Sequence, residues 1–241
     1  MARRFFSSED IEPPRATIRG SEAHHLLHVL RLGVGDAVQL FDGSGIEYQA
    51  RIEAVSRQTV DCLIEGQQPA NRELDVELHV GVAAPKGDRS RWLIEIAVEL
   101  GVHTLVPLHC ERSVVQLRST SLSRLRKAVI EASKQCGRNR LMEISEPISC
   151  VQWLTASEGD AAMRLMAHPD EAGCPLHAVD ADRSVHKVMI AIGPEGGFSE
   201  AEVRTGVSQN WQLISLGPRL LRVETAALAV AASIGLWSSP A

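Results

Sequence analysis

The apolar run Val188 to Ile192 leads into Gly193-Pro-Glu-Gly-Gly197, then Phe198 and Ser199-Glu-Ala-Glu202. A glycine loop between a strand and a helix places backbone amides at the carboxyl end of the strand, where open α/β sheets bind ligands. Ser199 and Glu202 have the spacing of a capping box that starts the helix. The loop lacks the Gly-Lys-Ser/Thr of a phosphate-binding loop and the Gly-x-Gly-x-x-Gly of a dinucleotide fingerprint. Glu195 would repel a pyrophosphate, so a ligand carrying positive charge suits the loop better. A second instance follows, where Trp211 to Leu216 ends in Gly217-Pro218 and runs on through Arg219, Leu220, Leu221, Arg222, Val223 and Glu224. Two glycine-bearing strand ends can form opposite walls of one crevice, and His168-Pro169, after the apolar run Met163 to Ala167, suits a third. The plainer alternatives are tight structural turns, a loop start at His168, and an Arg222–Glu224 ion pair that only holds the chain together.

Between Arg112 and Arg140 lie eight cations against one anion, Glu131, in a chain whose net charge is −5. Leu122, Leu125, Val129, Ala132 and Cys136 recur at intervals of three and four and form an apolar helical stripe. Arg124, Lys127, Lys134 and Arg138 follow the same intervals displaced by two residues, roughly 200° around the helix. The spacing predicts a basic face opposite the core, able to track phosphates or simply solvated. His24 and His28 share a helical face, but no third ligand accompanies them and no metal is expected. Ser44, in Asp42-Gly-Ser-Gly45, lacks the spacing of a nucleophile elbow and reads as a turn residue. The five cysteines are scattered, without a Cys-x-x-Cys pair, and are expected to be reduced and structural.

The elements that must position these groups fall into two patterns. Up to about residue 70 the chain reads as β-rich: Ala37 to Phe41 and Tyr48 to Ala54 form a hairpin across Asp42-Gly-Ser-Gly45, and Thr59 to Ile64 is a further strand. Ser21 to Leu30 reads as a short helix, and Gly66 to Arg72 as a linker. From Leu74 onward strands alternate with helices: Val76 to Ala84, His103 to Leu108, Met163 to Ala167, Val188 to Ile192 and Trp211 to Leu216 are strands, Arg89 to Leu100 a helix. That alternation predicts a mostly parallel sheet. Thr225 to Ile234 is alanine-rich with almost no polar face and must be buried, inside the fold or across a dimer. With 44% hydrophobic and 23% charged residues the composition is that of an ordinary globular protein. No apolar run is long enough for a signal peptide or membrane span.

Several of these residues carry a resemblance. Lys86-Gly-Asp-Arg89, Glu99-Leu-Gly101, Arg112-Ser113, Gln135 with Gly137-Arg138, Ile192-Gly-Pro-Glu-Gly-Gly197 and Leu216-Gly-x-x-Leu-Leu-Arg-x-Glu-Thr-Ala226 occur in one order. With Arg4-Phe-Phe6, His28-Val-Leu-Arg31 and Phe41-Asp-Gly-Ser-Gly45, they make the chain resemble the ribosomal RNA small subunit methyltransferase E family of the knotted SPOUT superfamily. It departs from the family pattern at Ile96, where lysine is common, and at Met142, where proline is.

The resemblance implies an α/β fold class: a PUA-like small β-barrel over residues 1–70 that binds RNA, and over 71–241 a SPOUT-type domain with a deep trefoil knot. It implies S-adenosylmethionine as cofactor and N3 of one uridine in the decoding region of 16S ribosomal RNA as target, in the assembled 30S subunit or a late precursor. A homodimer in the cytoplasm, with neither membrane nor metal, is the expected state. Cofactor contacts are expected from His168, Ile192, Gly193, Pro194, Gly196, Gly197, Leu216, Gly217, Leu220, Leu221 and Arg222. Arg222 is the first candidate to stabilise charge on the uracil, with Glu195 or Glu224 accepting the N3 proton or orienting Arg222. Expected RNA contacts are Arg4, Arg31, Arg112, Arg124, Lys127, Lys134, Gln135 and Arg138. The rival expectations are an RNA-binding assembly factor without activity and an enzyme of the same fold acting on transfer RNA.

Overall fold

A computed structural model describes residues 3–156, 162–169, 173–179 and 185–237. The chain divides into two compact units, one of residues 1–73 with 133–141, the other of 74–132 with 142–241. The expected boundary at residue 70 thus falls at 73, and nine later residues return to the first unit.

In the first unit the strands are β1 (Arg4–Phe6), β2 (Arg15–Arg19), β3 (Ala37–Phe41), β4 (Ile46–Val55) and β5 (Thr59–Pro69), with helix α1 (Gly20–His24) followed by a π-helical turn over His25–Val29. The sheet order is β1-β3-β4-β5-β2, with β1 parallel to β3 and the other pairs antiparallel. Alternation along these strands sends Phe5, Ile18, Leu40, Ile52 and Val60 into one core that Leu26 closes. β5 runs on through Gly66 to Pro69, so most of the expected linker is strand paired with β4.

The second unit holds β6 (Glu77–Ala83), α2 (Arg89–Glu99), β7 (Thr104–His109), most of α3 (Ser119–Cys136), the short strands β8 (Glu143–Ile144) and β9 (Ile148–Ser149), and α4 (Cys150–Leu154). Then follow β10 (Ala162–Ala167), β11 (Cys174–Pro175), β12 (Lys187–Ile192), α5 (Glu200–Ser208), β13 (Gln212–Ser215) and α6 (Val223–Trp237). The eight-stranded sheet is parallel, in the order β11-β13-β10-β12-β6-β7-β8 with β9 beside β7. The central strand β12 is buried throughout Val188–Ile192, as a parallel strand covered on both faces requires. α6 buries Val223, Ala226, Ala227, Val230, Ala231 and Ile234, which accounts for its missing polar face.

Helix α3 corrects one expectation. It keeps the apolar stripe, with Leu122, Leu125, Val129 and Ala132 buried, but it ends at Cys136 because Gly137 turns left-handed at φ 89°. Arg138 therefore leaves the helical register. Its guanidinium is buried on Glu73, with Nε donating to Oε1 at 3.1 Å, and Lys134 Nζ is paired with Glu22 at 2.9 Å with only 9% of its side chain exposed. Arg4 is buried too, donating to the carbonyls of Gly137 and Arg138 and to Asn139 Oδ1, with Glu47 beside it at 3.7 Å. Burial lowers its proton affinity and Glu47 partly restores it. All three side chains are spent inside the first unit, because 133–141 is the strap that satisfies it. The exposed members of the expected RNA set are Arg31, Arg112, Arg124, Lys127 and Gln135.

Candidate active site

β10, β12 and β13 are neighbours in the parallel sheet, so the loops after them open at the same edge. Between those loops lies an open crevice. Its lining contains the expected His168, Ile192, Gly193, Pro194, Gly197, Leu216, Gly217, Leu220 and Leu221, together with Glu195. Ala167, Pro169, Phe198, Arg219, Val223 and Ala226 complete it. None of these six is among the expected cofactor contacts, because their place depends on how side chains turn at strand and helix ends; the first five adjoin an expected contact, and Ala226 lies one helical turn beyond Arg222. Gly196 and Arg222 do not line it: Gly196 faces Arg112, and Arg222 is exposed.

The loop after β12 is held from several sides. Gly197 N donates to Pro194 O at 2.8 Å, and the capping box forms, with Ser199 N on Glu202 Oε2 at 2.8 Å and Glu202 N on Ser199 Oγ at 3.3 Å. Arg112 Nη1 donates to Gly196 O at 3.2 Å, so this cation, expected at RNA, supports the crevice loop. After β13 the chain rests on Gly217 N to Ser215 Oγ at 3.4 Å and on the first bond of α6, from Ala226 N to Arg222 O at 2.9 Å.

The three chemical candidates separate. Glu195 stands in the crevice wall with 39% of its side chain exposed. Glu224 is 4% exposed and paired with Arg89 Nη1 at 3.1 Å, which replaces the Arg222–Glu224 pair considered from sequence. It does not line the crevice. Arg222 is exposed, between Leu221 and Val223 of the lining.

Among the described residues, one group has donors suited to a metal: the buried Cys110, Cys150 and Glu202, whose ligand atoms lie within 4.8 Å of one another. Glu202 already accepts from Ser199 N and from Glu111 N at 2.9 Å, and the Cys150 thiol is held protonated by its hydrogen bond with Cys110 and by burial. The trio therefore has a structural account, the satisfaction of a buried cap. All five cysteines are free.

The comparisons with known proteins agree with this geometry. Residues 72–235 match the family described as RNA methyltransferase domain, and 18–65 match RNA methyltransferase PUA domain. The ribosomal RNA small subunit methyltransferase E of Bacillus subtilis is 32% identical over 226 residues, covering 90% of this chain and 88% of the relative. The enzyme of that name from Neisseria gonorrhoeae, solved bound to S-adenosylmethionine, superposes with a TM-score of 0.89 at 26% identity over 98% of each chain. A Legionella pneumophila methyltransferase solved with the same cofactor gives 0.88 at 30% identity, covering 98% of this chain and 97% of its own.

Proposed function

This chain belongs to the ribosomal RNA small subunit methyltransferase E family, and on that premise we propose that it methylates N3 of one uridine in the decoding region of 16S ribosomal RNA, using S-adenosylmethionine. The observation that carries the proposal is the crevice at the carboxyl ends of β10, β12 and β13. Its lining fits the donor: backbone groups and aliphatic side chains suit an adenosine, and the Glu195 carboxylate suits a cation. When bound, the donor supplies a methyl group on a positively charged sulfur.

The remaining work falls to the chain's own residues. In-line transfer gains most of its rate from placement, so the backbone of Ile192–Gly197 and Leu216–Leu221 is assigned to hold the donor still. Uridine N3 lies on the pairing edge, so the base must be unpaired to reach the crevice. Arg222, exposed at its rim, is assigned to the uracil carbonyls, where its planar donors favour the deprotonated imide. Glu195 is the carboxylate left to receive the N3 proton.

Phosphate contacts are assigned to Arg124 and Lys127, with Arg31 and Gln135 as further exposed candidates. The substrate is read as the assembled small subunit or a late precursor, and the site of action as the cytoplasm; among the described residues no helix is long and apolar enough to cross a membrane. A homodimer is supported by an apolar hollow between Leu176, Leu216, Leu236 and Trp237, of which Leu236 is largely exposed. The trefoil knot is taken from the family.

The deciding experiment is calorimetry of the full chain with S-adenosylmethionine, then mass spectrometry of 16S ribosomal RNA from a deletion strain treated with the purified protein. Stoichiometric binding and restoration of one N3-methyluridine are expected. Absence of binding would leave an RNA-binding protein without activity, and methylation confined to transfer RNA would reassign the substrate. For the RNA surface, Arg124→Gln with Lys127→Gln should lower the slope of log affinity against log salt by roughly 0.7 to 0.9 per lost contact. An unchanged slope would make that face merely solvated.

A further inference from the structure

Arg89, the first residue of α2, does not line the crevice, yet it touches both of its principal walls. Its Nη1 donates to Glu224 Oε1 at 3.1 Å, at the start of α6, where Val223 and Ala226 face the crevice. Its Nη2 lies 3.9 Å from Glu195 Oε1 in the loop after β12. Its Nε donates to Lys86 O at 3.2 Å, which fixes the plane of the guanidinium on its own loop. Three nitrogens of one rigid fork are thus used in three directions, an arrangement that a single ammonium cannot copy.

The buried end of this strut is unusual. Glu224 is 4% exposed, its Oε2 has no hydrogen-bond partner, and Arg89 is the cation against it. A carboxylate buried with one oxygen unsatisfied is costly to keep, and replacing it together with its partner by apolar groups would commonly be neutral or stabilising. Stability alone therefore does not explain the pair. What it achieves is a connection between Glu195 on one wall and the segment carrying Arg222 on the other.

We infer that Arg89 is a positioning residue for the crevice, tying the Gly193–Gly197 loop to the start of α6 and holding the Glu195 carboxylate in the wall. The inference rests on the reading of the crevice as the S-adenosylmethionine site. Arg89 acts through Glu195 and touches neither donor nor base.

The test is a double-mutant cycle on the full chain, using Arg89→Gln and Glu195→Gln, with calorimetric affinities for S-adenosylmethionine and for its neutral-sulfur product S-adenosylhomocysteine. The ratio of the two reports how well Glu195 is placed against the sulfonium. Each single variant should lower the wild-type preference for the charged donor by about three- to tenfold, and the double variant should lower it no further. Removing a cation that acted only by its charge would instead raise the preference, and that rise would overturn the inference. So would an Arg89→Gln effect of equal size with and without Glu195. If Arg89→Gln fails to fold, Arg89→Lys, which keeps a charge for Glu224 but loses the fork, takes its place in the cycle with the same expected non-additivity. A wild-type protein that binds neither ligand would remove the cofactor reading itself, whereas intact binding with an additive cycle removes only the role of Arg89.

Discussion

The two glycine-bearing loops of the crevice are built on the same plan and held very differently. The loop after β12 is clamped by an internal turn, a capping box, the Arg112 side chain and the Glu195–Arg89 contact. The segment after β13 has Gly217, Pro218, Arg219 and Leu220 exposed, Leu220 to 89%, and rests on contacts at its two ends. The difference teaches where ordering remains to be done. One wall is formed in advance, while the other retains freedom that ligand binding must remove, and that ordering lowers the net affinity gained from its contacts.

Glycine replacement should separate the two most strongly. A Cβ on Gly193 would lie 3.0 to 3.3 Å from the ring of the buried Phe198. In a clamped loop that overlap has no outlet, so Gly193→Val should weaken S-adenosylmethionine binding by about a hundredfold or more. At Gly217 a Cβ would meet nothing within 4 Å, and only its φ of 98° resists substitution. A freer segment can relax, so Gly217→Val should weaken binding by roughly tenfold while leaving the melting temperature nearly unchanged. Equal calorimetric losses in the two variants would erase the distinction.

Arg222 comes next, since it belongs to the freer segment and is assigned to chemistry. Arg222→Ala should lower the single-turnover methylation rate by about a hundredfold with little change in donor or RNA affinity. A loss confined to RNA affinity would move Arg222 from the chemistry to the phosphate contacts. A smaller effect is expected from Arg112→Gln, which removes one donor from the Gly196 carbonyl and should weaken donor affinity by about fivefold. If donor affinity is unchanged, the clamp on the first loop is weaker than its hydrogen bonds suggest. The gentlest probe is amide exchange: Leu220 to Arg222 should exchange faster than Gly196 and Gly197 in the free protein and gain more protection when the donor binds. Matching protection in the free protein would contradict the comparison.

Much of the crevice was legible because its signals are local. The strand–glycine–capping box sequence from Val188 to Glu202 prescribes its own geometry, and both capping-box bonds form as the spacing requires. The parallel sheet followed from alternation, and the burial of α6 from its lack of a polar face. Charge partners were not legible. Lys134 and Glu22 are 112 residues apart, Arg138 and Glu73 are 65 apart, and Arg89 and Glu224 are 135 apart. Helical periodicity places a cation on a face but says nothing about a carboxylate that arrives from elsewhere in the chain. The stripe from Arg124 to Arg138 was therefore read as one surface, although Gly137 ends the helix and its last two cations are internal.

The strap from residue 133 to 141 also sets an order of events during synthesis. Until it has emerged from the ribosome, Arg4 lacks the carbonyls of Gly137 and Arg138, Glu22 lacks Lys134, and Glu73 lacks Arg138. The amino-terminal sheet can form early from its own hairpins, with Arg4 already beside Glu47, but Glu22 and Glu73 wait for Lys134 and Arg138 while some sixty further residues are translated. A fragment cut at residue 73 would be left permanently at that stage. The unit that is first in sequence is thus completed only after translation of the second is well under way.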